Sequence, residues 1–260
     1  MTNRKQVFQV QILKIKELYQ HYQNNPFSPT IVHDLRVAIR ALRALVHFVK
    51  KRISVEEYEQ INQSLGEAAQ MLGPLRELDV LDQYCSQYAI AHPSKSETYY
   101  QLFNTFAKDR RVEMNRTFNK TNQAKMKHAI DLSKNLLTMD LFSNKKDWRT
   151  YTAKRMQKSE ANLTKAIETA DLSDYQIVHS IRKQAKKLKY AAHYFNPTVK
   201  KNLRKFELQA GEIQSKFGEI TDNHVNYQLL TDYADRVSEP DLQSLLLAIR
   251  DDIPFDHTSA

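Results

Sequence analysis

The chain has 260 residues, with 39 Lys and Arg against 30 Asp and Glu, a formal net charge of +9 and a pI of about 9.4. Four glycines and seven prolines are few for this length. Sheets and tight turns need more of these residues, so the composition argues against a β-rich protein and predicts an all-α fold. The positive balance indicates polyanionic partners, namely nucleic acid, an anionic membrane surface or a phosphate polymer.

The single cysteine, Cys85, excludes an intrachain disulfide and agrees with a reducing compartment. Residues 1–20 alternate charged with apolar residues and contain neither the apolar core nor the cleavage site of a signal peptide. No apolar run approaches the roughly 18 residues that a membrane-spanning helix needs. These features predict a cytoplasmic protein without a membrane span.

Apolar periodicity and helix-ending residues divide the chain into helices joined by connections of two to six residues, which favour antiparallel neighbours in bundles. In chain order the predicted helices are 5–23, 31–52, 54–73, 75–91, 95–119, 122–137, 145–170, 174–196, 198–217, 219–236 and 239–250.

Several of these helices begin at residues that are typical of helix starts. Capping boxes are predicted at Ser54–Glu57 and Ser94–Glu97, because a Ser is followed three residues later by Glu. The remaining predicted start signals are a Thr30 cap on the second helix, Pro74 at the first position of the fourth, and Ser238 with Asp241 around the start of the last.

The segment 31–49 (IVHDLRVAIRALRALVHFV) returns at 177–195 as IVHSIRKQAKKLKYAAHYF. At 100° per residue, the apolar positions of each copy form one stripe, and the basic positions lie together on the flank beside it. We call these flanks the first and second basic rows. The first row is His33, Arg36, Arg40, Arg43 and His47, and the second is His179, Arg182, Lys186, Lys189 and His193.

A second match pairs residues 65–75 with 210–220 and takes in all four glycines, Gly66 with Gly211 and Gly73 with Gly218. The two matches predict an internal duplication. We therefore expect a single domain over 1–260, built as two pseudo-symmetric antiparallel helical bundles. Their bounds are about 1–140 and 145–252, and residues 253–260 are a frayed tail.

The chain offers little for catalysis or metal binding. It lacks the glycine-rich phosphate loops and the C-x-x-C and H-E-x-x-H motifs. We predict no metal, no cofactor and no catalytic residue, and we interpret Cys85 as a buried, inert thiol. Glu77, Asp79 and Asp222 are expected near helix N-termini, where the dipole stabilises them and where they could hold basic neighbours in place.

The candidate function that remains is the binding of an extended anion. Arginine offers a planar fork that takes two phosphate oxygens, and lysine a point charge. Spacings of three and four residues place successive cations about 5–6 Å apart along each row. His47 and His193 at the ends of the rows, with Lys154 and Lys158, are candidates for additional anion contacts. Further cations whose orientation is open at this point are Lys108, Arg110, Arg111, Arg116 and Arg155.

The strings VHDLRVAIRALRAL and LGPLRELDVL, and in the second half VHSIRKQAKKLKYA and FGEITDNHVNYQLL, resemble the CHAD family, the conserved-histidine α-helical domain. The resemblance covers nearly the whole chain. It implies two pseudo-symmetric helical bundles that bind inorganic polyphosphate in a basic groove or pore between them. The implied polyphosphate-binding residues are His33, Arg36, Arg40, Arg43, His179, Arg182, Lys186 and Lys189.

The chain departs from the family pattern in two respects. Lysine replaces arginine at 186 and 189, and residues 221–224 match the second acidic motif loosely. The E-x-E-x-K strand of the triphosphate-tunnel module that some relatives carry is absent.

Three functions follow as hypotheses. The preferred one is non-catalytic binding of polyphosphate, with association to polyphosphate granules, and the alternative is a nucleic-acid-binding protein that uses the same surface. A phosphohydrolase with His33 or His179 as base or nucleophile ranks third. If phosphate neighbours these histidines, it should raise their pKa, and binding should tighten as the pH falls through about 6.5.

Overall fold

The computed structural model describes residues 4–93, 96–142, 147–199 and 202–254, and within these ranges it contains ten α-helices and no strand. The predicted all-α fold is confirmed. The helices are α1 (Arg4–Asn24), α2 (Pro29–Val49), α3 (Val55–Met71), α4 (Gly73–Ala91), α5 (Ser96–Thr117), α6 (Lys120–Asn135), α7 (Trp148–Glu168), α8 (Tyr175–Phe195), α9 (Arg204–Arg236) and α10 (Pro240–Asp251).

The start of α2 differs from the prediction. Ser28 caps the helix, since its Oγ accepts a hydrogen bond from the Ile31 amide, and Pro29 follows at the first position. Thr30 is therefore inside the helix and the predicted Thr30 cap is wrong. A proline at the first position needs no amide partner, which lets the helix begin two residues earlier.

Some of the other predicted helix starts are confirmed and others are wrong. The capping box of Ser54 and Glu57 is confirmed. Pro74 lies at the second position of α4 and not at the predicted first position, because the helix begins at Gly73. The N-cap of α10 is Glu239 and makes no side-chain cap bond, so the predicted Ser238–Asp241 frame is wrong. Ser94 and Lys95 of the other capping box lie outside the described residues.

Helix α9 is continuous through Gly218, where two separate helices were predicted. An interior glycine costs a helix about 1 kcal/mol, which tertiary packing can offset. Gly218 is buried, and a Cβ there would lie 3.6 Å from Arg182 Nε, an ordinary contact distance, so the glycine lies directly against this arginine. Asp222 consequently sits in the middle of a helix, and the helix-dipole role predicted for it is wrong.

The buried apolar side chains form two cores. The larger combines α1, α2, α3, α6, α7 and α8 with the start of α9, and α2 packs against α1, α3 and α8 within it. The smaller core combines α4 and α5 with the end of α9 and with α10. Each core therefore draws helices from both sides of residue 140, and the division into halves at 1–140 and 145–252 stays a prediction.

Candidate anion-binding site

The two basic rows converge where α2 packs against α8. Arg36 and Arg40 of α2 repel Arg182 and Lys186 of α8, and Arg76 of α4 acts on both arginines of α2. We call these five residues the central cluster. Burial, followed by repulsion from Arg182 and Arg40, lowers the pKa of Lys186 to about 7.

Arg36 is anchored at the junction between α3 and α4. Its Nη1 donates hydrogen bonds to the carbonyl oxygens of Leu72 at 3.2 Å and Gly73 at 3.0 Å. Burial, followed by repulsion from Arg40, lowers its pKa to about 10, so it stays charged at neutral pH. The backbone thus fixes the position of this guanidinium without neutralising its charge.

Several N–H groups of the site have no partner. The Nε atoms of Arg36, Arg40 and Arg182 and the Nδ1 atom of His179 are buried and lack a hydrogen bond within the described part of the chain. A buried polar group without a partner costs about 1–3 kcal/mol. An anion that accepts from the arginine Nε–H groups, once these side chains turn to present them, would recover that cost.

On α8, Arg182 forms a two-pronged ion pair with Asp222 of α9, at 3.0 Å between Nη1 and Oδ1 and 3.2 Å between Nη2 and Oδ2. The predicted role of Asp222 in holding a basic neighbour is confirmed. Asp79 does the same elsewhere, since its Oδ1 accepts from Arg110 Nε at 2.7 Å. Arg182 is therefore paired directly with a carboxylate, whereas Arg36 donates to backbone carbonyls and Glu77 acts on it without an ion pair among those found in the described residues.

The histidines that begin the rows stand beside this cluster. Burial and then Arg76 and Arg40 lower the pKa of His33. Burial and then Lys183 lower the pKa of His179 to about 4. His179 of the free protein is therefore neutral at pH 6.5, and the predicted pH response of both histidines starts from a lower pKa than the ordinary value.

Toward their C-terminal ends the rows diverge. Arg43 lies against Gly66 of α3, with its guanidinium carbon 3.2 Å from where a Cβ would be, and its Nε donates to Asn62 Oδ1 at 2.8 Å. Lys189 lies on the other side, with its Cε 3.9 Å from the corresponding position on Gly211 of α9. The fold does not bring these two cations together as it does the central cluster.

The outer histidines have partners. His47 Nδ1 lies 2.9 Å from the Tyr58 hydroxyl, and burial with Lys187 lowers the pKa of His47 to about 3. His193 donates to Glu207 Oε1 at 2.8 Å on an exposed surface. The Nδ1 atom of His47 is thus paired with a hydroxyl, whereas that of His193 is paired with a carboxylate.

Sequence reasoning missed four cations near the rows. Arg76 stands inside the quoted string LGPLRELDVL and was not singled out. Lys183 and Lys187 follow His179 at steps of four on one face of α8, a spacing that could have revealed them. Lys50 follows directly after α2. Of the two predicted extra contacts on α7, Lys158 acts on Lys50, and Lys154 is exposed.

Cys85 is buried and its thiol pKa is raised to about 12, as expected for an inert thiol. Within the described ranges, no group of three or more His, Cys, Asp or Glu could hold a metal ion. No helix in those ranges is long and apolar enough to cross a membrane.

Comparison with known proteins gives a family and a fold. The profile of the CHAD domain matches residues 15–231. The crystal structure of the CHAD domain from the plant Ricinus communis is similar at 18% identity, covering 97% of this chain and 88% of that one, with a TM-score of 0.66. PptA from Streptomyces chartreusis is similar at 11% identity, covering 96% and 92%, with a TM-score of 0.72. No curated protein matches the sequence.

Proposed function

The chain belongs to the CHAD domain family, and from this premise we propose that it binds inorganic polyphosphate between α2 and α8 without chemically changing it. One observation carries the proposal. Five cations from three helices form the central cluster, and three of them have a buried guanidinium N–H group without a partner. A ligand with closely spaced negative oxygens would relieve both the repulsion and the missing hydrogen bonds.

The arrangement of the cations favours a linear phosphate polymer. Successive basic residues along α2 and α8 offer a repeated charge, which suits a ligand whose charge also repeats. Glu77 and Asp222 are the anionic groups that act on the cluster, and they offset only part of its charge. A strong positive potential with donors already positioned favours an anion with many equivalent oxygens.

One feature supports a binding role without catalysis. A general base works best with a pKa near the working pH, and the pKa of His179, at about 4, is far below neutrality. Neutral His179 would instead contribute a hydrogen bond to a bound phosphate, and His33 and His179 would both add charge once the anion raises their pKa. Binding of this kind would also let the protein associate with polyphosphate granules in the cytoplasm.

The test is a titration of the protein with long-chain polyphosphate, with RNA at matched phosphate concentration as competitor. We expect tight binding that RNA does not displace. The variant R40Q/K186Q should lose affinity by about 100-fold, because two cations of the central cluster disappear. The matched variant K14Q/K125Q removes the same charge from exposed positions of α1 and α6 and should bind normally.

Three results would contradict the proposal. Equal displacement by RNA would favour the nucleic-acid alternative. An equal loss of affinity in K14Q/K125Q and R40Q/K186Q would mean that binding depends on the overall surface charge and not on the central cluster. Phosphate release from the polymer by the wild-type protein, abolished in H33A, would contradict the non-catalytic role.

A further inference from the structure

A pocket separate from the central cluster lies between α4 and α5, beside the loop that joins α1 to α2. Its volume is about 350 Å³, within the range of roughly 300–1,000 Å³ that is typical of small-molecule sites. Such sites combine an apolar lining with a few polar groups that orient the ligand. No residue of the central cluster lines this pocket, so a ligand here would be distinct from the anion bound between α2 and α8.

The two walls of the pocket carry opposite charges. Asp79 and Asp82 line it from α4, whereas Arg110 and Arg111 line it from α5. Asp82 and Arg111 are both exposed, and within the described part of the chain neither side chain forms an ion pair or a hydrogen bond. Partial burial, followed by repulsion from Asp79, raises the pKa of Asp82. The pocket therefore presents a carboxylate on one wall and a guanidinium on the other, each without a partner.

At the floor of the pocket the two charges meet. Arg110 Nε donates to Asp79 Oδ1 at 2.7 Å, and only 1% of the Asp79 side chain is exposed. We call these two residues the floor pair. An arginine and a carboxylate often form two parallel hydrogen bonds, but here Asp79 Oδ2 and Arg110 Nη2 are buried without a partner. The floor pair thus keeps one free acceptor and one free donor, which a small turn of the side chains would present to a ligand.

Apolar side chains form the rest of the lining. Leu78 and Phe106 are buried members of the smaller core. Phe27, in the loop that joins α1 to α2, is 59% exposed at the edge of the pocket. An aromatic ring in this position offers a large apolar surface against which the uncharged part of a ligand can pack. The pocket therefore suits a small molecule with an apolar group and two opposite charges.

We propose that this pocket binds a free α-amino acid with an apolar side chain. The ammonium group would lie beside Asp82 on α4, and the carboxylate beside Arg111 on α5. The apolar side chain would pack against Phe27 and Phe106. A simple amine would leave the guanidinium wall unpaired and a simple carboxylate would leave the acidic wall unpaired, so only a zwitterion satisfies both. The inference does not depend on polyphosphate binding.

The experiment is a calorimetric titration of the full chain with L-leucine and L-phenylalanine at millimolar concentration. Phenethylamine and 3-phenylpropanoate, which lack the carboxylate and the ammonium group of phenylalanine, are the comparison ligands. We expect both to bind at least about tenfold more weakly than L-phenylalanine, because each leaves one wall of the pocket unpaired.

Two variants assign the walls. D82N and R111Q should each weaken L-phenylalanine binding by about tenfold, because each removes one charge-assisted contact. D82N should leave the affinity for 3-phenylpropanoate within about twofold of the wild type, and R111Q should do the same for phenethylamine. The matched variant E59Q/K108Q removes one charge of each sign from exposed positions of α3 and α5 and should bind L-phenylalanine normally.

Three results would overturn the inference. The first is a wild-type protein that binds neither amino acid. The second is equal affinity for L-phenylalanine and its two comparison ligands, which would contradict the pairing of opposite charges with opposite walls. The third is a loss in E59Q/K108Q as large as in D82N or R111Q. Because D82N and R111Q should still bind long-chain polyphosphate, the proposed function is tested separately.

Discussion

The two basic rows have matching spacings, yet the protein holds them in different ways. In the first row, backbone carbonyls anchor Arg36 and an amide oxygen anchors Arg43. In the second row, Asp222 pairs with Arg182, and Lys186 has a pKa of about 7. Neutral anchors fix a charge without cancelling it, whereas a carboxylate partner or a lowered pKa makes the charge adjustable. We therefore expect the first row to supply most of the affinity for the anion. We expect the second row to make that affinity depend on the pH.

The largest expected effect is a difference in polyphosphate affinity between R36Q and R182Q. We expect R36Q to lose about 30–100-fold in polyphosphate affinity and about 1–3 kcal/mol in the free energy of unfolding, because the Leu72 and Gly73 carbonyls lose their donor. R182Q should lose about tenfold in affinity or less, since Asp222 already shares its charge.

Calorimetric titration and denaturant unfolding of the two variants would measure this difference. Equal losses of affinity in R36Q and R182Q would break the distinction between the rows.

Arg36 and Arg182 show how much of the site can be predicted from the sequence. The flank of each helix and the equal spacing of its cations follow from the helix period alone, and the central residues Arg36, Arg40, Arg182 and Lys186 were predicted from it. The groups that anchor Arg36 were not predicted, because Leu72 and Gly73 contribute main-chain carbonyls, which any residue carries. That Lys187 faces α2 depends on how two helices cross, and the local pattern does not encode this.

The next effect is a pH dependence from Lys186, which faces Arg36, Arg40, Arg182 and Asp222. Its pKa is about 7 in the free protein, and a bound anion should raise it toward the ordinary 10.5. Below pH 7 the lysine is already protonated, so it adds no pH dependence. Above pH 7 binding must take up a proton, and affinity should fall by up to about tenfold per pH unit.

K186R supplies the control, because arginine stays charged throughout this range. Titrations from pH 7 to 9 with long-chain polyphosphate should show a flat affinity for K186R and a falling one for the wild type. Identical slopes in the two proteins would mean that the proton is taken up elsewhere.

The smallest effect concerns the glycines beneath the rows. A Cβ at Gly66 would lie 3.2 Å from the Arg43 guanidinium carbon, whereas a Cβ at Gly211 would lie 3.9 Å from Lys189 Cε. G66A should displace the exposed guanidinium by a few tenths of an ångström and weaken binding about two- to fivefold. Because alanine favours helix over glycine by up to about 1 kcal/mol, stability should not fall.

G211A is the matched variant and should bind like the wild type, since its new methyl group makes an ordinary contact. Parallel measurements of affinity and thermal unfolding would test the pair. Weaker binding in G211A than in G66A would contradict the placement of Arg43 beside the ligand.

The most direct test of a binding site between α2 and α8 is a crystal structure of the protein with long-chain polyphosphate. We expect phosphate oxygens within hydrogen-bonding distance of the Arg40 and Arg182 guanidinium groups and of Lys186 Nζ. A phosphate chain bound elsewhere, with Arg40 and Lys186 free of contacts, would contradict the account.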